Sequence, residues 1–245
     1  MSDGIYSALS GAVAQQQAMD VVANNVANVG TVGYRGDQLA FREALSRGES
    51  GPNPDGLRYV SVAQLSTDST DGPLNQTGNP LDVALSGDGM FAVRTEDGVR
   101  YTRAGSFRMD AQGIVRTPSG HAVLPEGDDP DATIQIPVEA DAITIGTDGT
   151  ITVDDQPVGR IRVVRFDEGQ LEKQGATLYV PVNNARGEPA TNAQVSQGYL
   201  EGANVNPVGG MNELIQTSRA FEAFQRVIQA FRQIDERAAR DIGGR

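Results

Sequence analysis

A chain of 245 residues, 38% hydrophobic, can bury a core in one or two domains, yet none of its apolar runs approaches the roughly 20 residues of a membrane span. It has no cysteine and one histidine, which excludes disulfides, thiolate metal sites, a cysteine nucleophile and a histidine-based zinc centre. The net charge of −12 sits in the middle of the chain, since residues 1–35 hold two acids and one arginine and residues 205–245 hold five acids and six arginines, and such an acidic body argues against binding a phosphate backbone.

The spacing predicts a first helix from about Ser2 to Asn28. Ile5, Leu9, Ala12, Gln16, Met19, Ala23 and Val26 recur at steps of three and four, which places them on one face. Its alanines and glutamines favour helix and make a thin surface that a neighbouring helix can approach closely. The opening MSDGIYSALSG has no basic stretch leading into an apolar run, so a cleaved secretory signal is not expected. Gly30 and Gly33 end the helix. The stretch ANNVANVGTVGYR, Ala23 to Arg35, is the most distinctive in the chain. By its chemistry it is a helix end and turn, with three asparagines able to satisfy backbone groups and Tyr34 as an anchor with a polar tip.

Residues 36–80 are expected to be an irregular linker or extended region. Gln38 to Leu45 suits either a helix or a strand, Ser46 to Gly56 reads as an exposed loop, and Leu57 to Leu65 alternates as a strand does. Residues 81–204 read as an antiparallel β body. Runs such as Met90–Arg94, Val99–Arg103, Ala142–Ile145 and Thr150–Val153 are separated by turn signals, among them Asp97-Gly98 and Asp148-Gly149. In Arg160–Phe166, Ile161 and Val163 are expected on one face and Arg160 and Arg162 on the other.

The last segment, 205–245, is expected to be a long helix. Asn206 caps it and Pro207 fits its first turn. Leu214, Thr217, Phe221, Phe224, Ile228 and Phe231 form one stripe, widened by Ile215, Val227 and Ile234. That stripe must be buried against something, and the first helix is the natural partner; the alternative is that both helices cap a single globular core. The fold class is therefore α+β: a discontinuous layer of N- and C-terminal helices, coiled-coil-like, with an inserted antiparallel β domain. The segments are 1–35, 36–80, 81–204 and 205–245.

Four stretches carry a resemblance. In ANNVANVGTVGYR, residues Asn24, Asn25, Ala27, Asn28, Gly33 and Tyr34 match a signature of ANN-[ILV]-AN, a short spacer and G[YF]. In Gly72–Val93, residues Gly72, Leu74, Thr77, Gly78, Leu81, Asp82, Val83, Ala84, Gly87, Gly89 and Phe91 match a second pattern, with Met90 where an aromatic is usual. Tyr101-Thr102-Arg103 with Gly105, Phe107 and Gly113 matches a third. In QGYLEGANVNPV, residues Gly198, Leu200, Glu201, Gly202, Asn204, Val205, Asn206 and Pro207 match a return segment, followed by Arg219, Phe221 and Glu222. On these residues the chain resembles the flagellar rod and hook family of bacterial axial proteins; residues 36–66 and 126–140 match weakly.

The resemblance implies a structural subunit of the basal-body rod, with no enzymatic activity and no cofactor. It implies a helical layer facing the rod's channel and a β domain outside it. It further implies export through the flagellar type III apparatus without a cleaved signal, and a place in the rod that spans the periplasm. Partners would be copies of itself, other rod proteins and the export apparatus. The packing residues would be Ile5, Leu9, Met19, Val26, Leu214, Phe221, Phe224, Ile228 and Phe231. Within the family, Asn206-Pro207 fits a proximal-rod subunit better than a distal-rod one, and a hook protein would carry an added outer domain.

From a different class, the chain reads as a secreted β-rich binding module with an acidic ligand face, which a ligand-dependent thermal shift would reveal. An enzyme finds little support. His121 sits on a strand beside turn residues, and no G-x-S-x-G elbow, phosphate loop or dinucleotide fingerprint accompanies it. Asp128, Asp129 and Asp131 form an acidic loop without EF-hand spacing. Asp154-Asp155 reads as a solvated turn, and Arg35-Gly36-Asp37 is too short a match to indicate adhesion.

Overall fold

The computed structural model describes residues 2–46, 57–127, 129, 131–140 and 142–243. The chain divides into two compact units. The first comprises residues 1–27, 37–67 and 206–245, the second residues 28–36 and 68–205.

The first unit holds two long helices and a hairpin. Helix α1 spans Ser2–Ala27 and helix α2 spans Pro207–Gly243. At 1.5 Å per residue they are about 39 and about 55 Å long. Asn206 caps α2: its side-chain Oδ1 accepts hydrogen bonds from the backbone N–H groups of Val208 (3.0 Å) and Gly209 (3.1 Å). Pro207 follows at the first helical position, where an N–H would have no partner within the helix.

Within the stretch expected to be irregular or extended, strands β1 (Asp37–Ser46) and β2 (Leu57–Thr67) pair antiparallel. Asp37 stands opposite Thr67 and Ser46 opposite Leu57, with a register shift between Ala40 and Phe41. Gln38–Leu45, equally suited to helix or strand by pattern, is thus a strand, because a partner of matching length lies close along the chain. The loop expected at Ser46–Gly56 falls largely outside the described residues.

The second unit is antiparallel throughout. Its largest sheet has nine strands, with Met90–Thr95 and Gly98–Thr102 as a central hairpin turning at Glu96-Asp97. Gly98 takes φ +106°, a conformation its lack of a Cβ permits. A three-stranded sheet is built from Ile143–Ile145, Thr150–Val153 and Gln156–Arg160. Two short pairs join Val83–Ser86 to Gln194–Gln197 and Leu74–Gln76 to Tyr199–Glu201. The core contains Val83, Leu85, Phe91, Val93, Phe107, Val115, Val123, Ile134, Ile136, Ile151 and Ile161, with Phe91 and Phe107 meeting edge to face at 5.2 Å.

One expected strand is broken. Arg160 ends a strand of the three-stranded sheet, opposite Thr150, whereas Val163 begins a strand of the large sheet, opposite Phe91. The chain changes sheets at Ile161 and Arg162, so the in–out alternation resets. Ile161 and Val164 are buried, while Val163 is only half-buried.

Candidate assembly surfaces and the signature segment

The two helices of the first unit run antiparallel, and glycines of one meet large side chains of the other. A Cβ on Gly4 would lie 2.8 Å from Phe231 Cζ, one on Gly11 would lie 2.5 Å from Phe224 Cε1, and one on Gly210 would lie 2.7 Å from Val26 Cγ2. The Gly4–Phe231 and Gly11–Phe224 pairs are seven residues apart on each helix, a heptad step. Two turns of helix bring the same face round again, so each phenyl ring finds a gap with no side chain.

The stripe of α2 faces this seam in graded fashion. Leu214, Phe221, Phe224, Ile228 and Phe231 are half-buried, and Thr217 is buried with its hydroxyl donating to Glu213 O at 2.8 Å. On α1 the buried positions are Ala8, Gly11, Ala12, Ala14 and Val22. Ile5, Met19 and Val26 are half-buried. Leu9 is 49% exposed and shares the outward face of α1 with Tyr6 and Val13. The buried face of α1 is therefore rotated from the one its bulky residues suggest, because glycine and alanine carry little hydropathy. Outward apolar side chains on α2 are Val208, Met211, Ile215, Val227 and Ile234.

The signature stretch is divided between the units. In the first, Asn25 acts as a surrogate strand edge toward Asp37: its Oδ1 accepts from Asp37 N–H at 2.9 Å and its Nδ2 donates to Asp37 O at 2.8 Å. Thr67 Oγ1 donates to the Asp37 carboxylate at 2.9 Å. Asn24 and Ala27 are exposed.

In the second unit, residues 28–36 lie among the β strands. Thr31 N–H donates to Asn28 O at 2.9 Å, and Gly33 N–H donates to Glu201 O at 2.8 Å. Gly33 has φ +66°, and a Cβ there would sit 2.3 Å from Ala104 N. Tyr34 is 1% exposed, with Lys173 Nζ 4.0 Å from its ring centroid, a cation–π contact. Lys173 also donates to Arg35 O at 2.7 Å. Asn204 holds the end of the segment: its Oδ1 accepts from Gly36 N–H at 2.7 Å, and its Nδ2 donates to Asp68 O and Thr70 O, each at 3.1 Å.

Beneath this segment lies a charged cluster. Arg103 is fully buried, donates to the carbonyls of Gly87 (2.9 Å) and Gly89 (2.7 Å), and pairs with both Asp71 and Glu201. Arg35, also buried, pairs with Asp71 at 3.1 Å. Burial, then the neighbouring Arg103, holds the Arg35 guanidinium below the ordinary arginine range. Burial pushes the Glu201 carboxyl up, against the pull of Arg103, the Gly72 N–H and Arg35. Pairwise spacing in the sequence carries no sign of this cluster; only the family patterns mark Arg103 and Glu201.

None of this is arranged for catalysis. His121 is half-buried and its backbone N–H donates to Thr117 Oγ1 at 3.1 Å, a turn contact. Asp128 lies outside the described residues, and Asp131 pairs with Arg94 at 2.9 Å. Asp154 and Asp155 form a turn with positive φ. Among the described residues no group of three or more His, Cys, Asp or Glu could hold a metal ion, and no helix is long and apolar enough to cross a membrane.

Three domain families match along the chain: "Flagella basal body rod protein" over residues 5–35, "Flagellar hook protein FlgE/F/G D1 domain" over 84–153, and "Flagellar basal body rod FlgEFG protein C-terminal" over 196–241. The flagellar basal-body rod protein FlgF of Caulobacter vibrioides is 33% identical, with 99% of each chain covered. The chain belongs to the flagellar basal-body rod protein family. FlgF of Mesorhizobium japonicum is also 33% identical, over the whole of both chains. FlgG of Bacillus subtilis is 32% identical, covering 93% of this chain and 94% of its own. This rod-family member is a structural subunit of the FlgF type, not an enzyme, and its place is the flagellar basal body. The rod-protein match at 5–35 spans α1 and the signature segment, and the C-terminal match spans the return strand and α2.

Proposed function

We propose that the subunit builds the proximal rod through its two terminal helices, in a helical tube that transmits torque. Ile5, Leu9, Met19, Val26, Leu214, Phe221, Phe224, Ile228 and Phe231 pack within one chain and against its neighbours. The observation that carries this reading is the apolar surface left outward on both helices: Tyr6, Leu9 and Val13 on α1, and Val208, Met211, Ile215, Val227 and Ile234 on α2. In a helix pair with a half-buried seam, that surface has its use in an assembly.

The neighbours are copies of the same chain and FlgB-, FlgC- and FlgG-like rod proteins. The subunit travels through the flagellar export apparatus into a rod that spans the periplasm. The Asn206-Pro207 junction and the full-length alignment with FlgF relatives favour this place over that of the distal FlgG rod.

Swimming and electron microscopy of purified basal bodies test the proposal, comparing the intact chain with one lacking Val227–Arg245. Absent or truncated rods are the expected outcome. Normal basal bodies and normal swimming would overturn it and favour a binding module instead.

A further inference from the structure

The charged cluster of the second unit draws its members from four separate stretches. Arg35 ends the signature segment, Asp71 precedes the strand Leu74–Gln76, Arg103 follows the strand Gly98–Thr102, and Glu201 ends the return strand Tyr199–Glu201. Two guanidinium groups face two carboxylates, so the cluster is balanced with all four charged and loses that balance when any one of them is removed alone.

Their exposures differ. Asp71's side chain is 42% exposed and keeps part of its hydration, whereas Glu201's is 2% exposed and Arg103's 0%. Glu201 Oε1 also accepts from Gly72 N–H at 3.1 Å, and its own carbonyl receives Gly33 N–H. The return strand is thus tied to the signature segment by backbone and by charge. Arg35 Nε finds no hydrogen-bond partner among the described residues, so its burial is matched by charge more than by a complete set of bonds.

We infer that Arg35 is the charge-balancing member of a latch that makes closure of the return strand depend on docking of the signature segment. Arg103 alone must otherwise serve two carboxylates, and the surplus negative charge falls on Glu201, the one that cannot be hydrated. The groups facing the cluster are Arg35, Asp71, Arg103 and Glu201 themselves, Tyr179 on the strand Leu178–Pro181, and Lys173 on the strand Leu171–Gln174. The consequence is an order of events. Residues 28–36 and 199–201 come from opposite ends of the chain, and neither is stable in place without the other. The β body therefore closes last at the point where both ends enter it.

The test is amide hydrogen exchange on the full chain, between pH 5 and pH 7.5, for the wild type, Arg35→Gln, Arg35→Gln with Glu201→Gln, and Arg35→Lys. In Arg35→Gln, protection of residues 72–77 and 198–202 should fall about tenfold or more relative to wild type, while Met90–Thr95 and Gly98–Thr102 keep theirs. The sign follows from Glu201. Without Arg35 its carboxyl is raised further in the folded state, so protection is retained at low pH and lost as pH rises through that value. Adding Glu201→Gln should flatten this pH profile, and Arg35→Lys should stay near wild type. Uniform loss across the unit, no change at 72–77 and 198–202, or a pH profile that Glu201→Gln leaves unaltered would overturn the inference. If Arg35→Gln fails to fold, Arg35→Lys decides: a wild-type profile supports the charge account, and failure alongside Gln refutes it.

Discussion

The phenyl ring of Phe224 lies on Gly11, so close that a Cβ there would stand 2.5 Å from Cε1 and 2.6 Å from Cζ. Gly11→Val must therefore push the ring or the helix away, and overpacking of this kind costs about 1–3 kcal/mol. We expect the variant to lose motility in a swim assay. Combining Gly11→Val with Phe224→Ala empties the space the valine needs, and should recover part of the swimming that either change alone abolishes. Full motility of Gly11→Val would show that this crossing is not used in the rod.

Among the described residues of α2, Thr217 is buried, while the aromatic stripe remains half in water. Ordering a backbone residue costs about 1–2 kcal/mol, and a thin helix pair offsets this poorly. In the monomer, amides of α1 and α2 should exchange far faster than those of the nine-stranded sheet. Terminal amides as dispersed and protected in solution NMR as those of the sheet would contradict this.

Asn25 satisfies both backbone groups of Asp37 with one side chain. Asn25→Ala leaves that N–H and C=O without these partners, at a cost of about 1–3 kcal/mol. Exchange at Asp37 and at Thr67, its partner across the hairpin, should speed up first. Asn25→Asp keeps the acceptor and loses the donor, so its effect should be intermediate.

Gly33 combines positive φ with a backbone wall, Ala104 N, where a Cβ would be. Gly33→Ala is expected to destabilise the second unit by about 3 kcal/mol, through left-handed strain and overlap that backbone cannot relieve. By contrast Gly30→Ala, with nothing within 4 Å of its Cβ, should be nearly silent. Thermal unfolding of the two variants side by side gives the comparison, and equal midpoints would refute it.

Much was legible along the sequence because its signals are local. The three–four stripe and the Asn206-Pro207 start announce α2, and the observed helix begins at Pro207 under that cap. Asp97-Gly98 and Asp148-Gly149 announce hairpins between strands that do pair. One histidine and no cysteine leave little catalytic chemistry open to the chain by composition alone. What only the tertiary structure decided is non-local or lacks a side chain to read. Gly4, Gly11 and Gly210 set the helix register by absence of a Cβ, which no hydropathy pattern records. The strand break at Ile161–Arg162 depends on which sheet offers the next partner. Arg35 and Glu201 lie 166 residues apart, and their placement in one cluster follows from folding, which makes two buried charges tolerable only when opposite charges arrive with them.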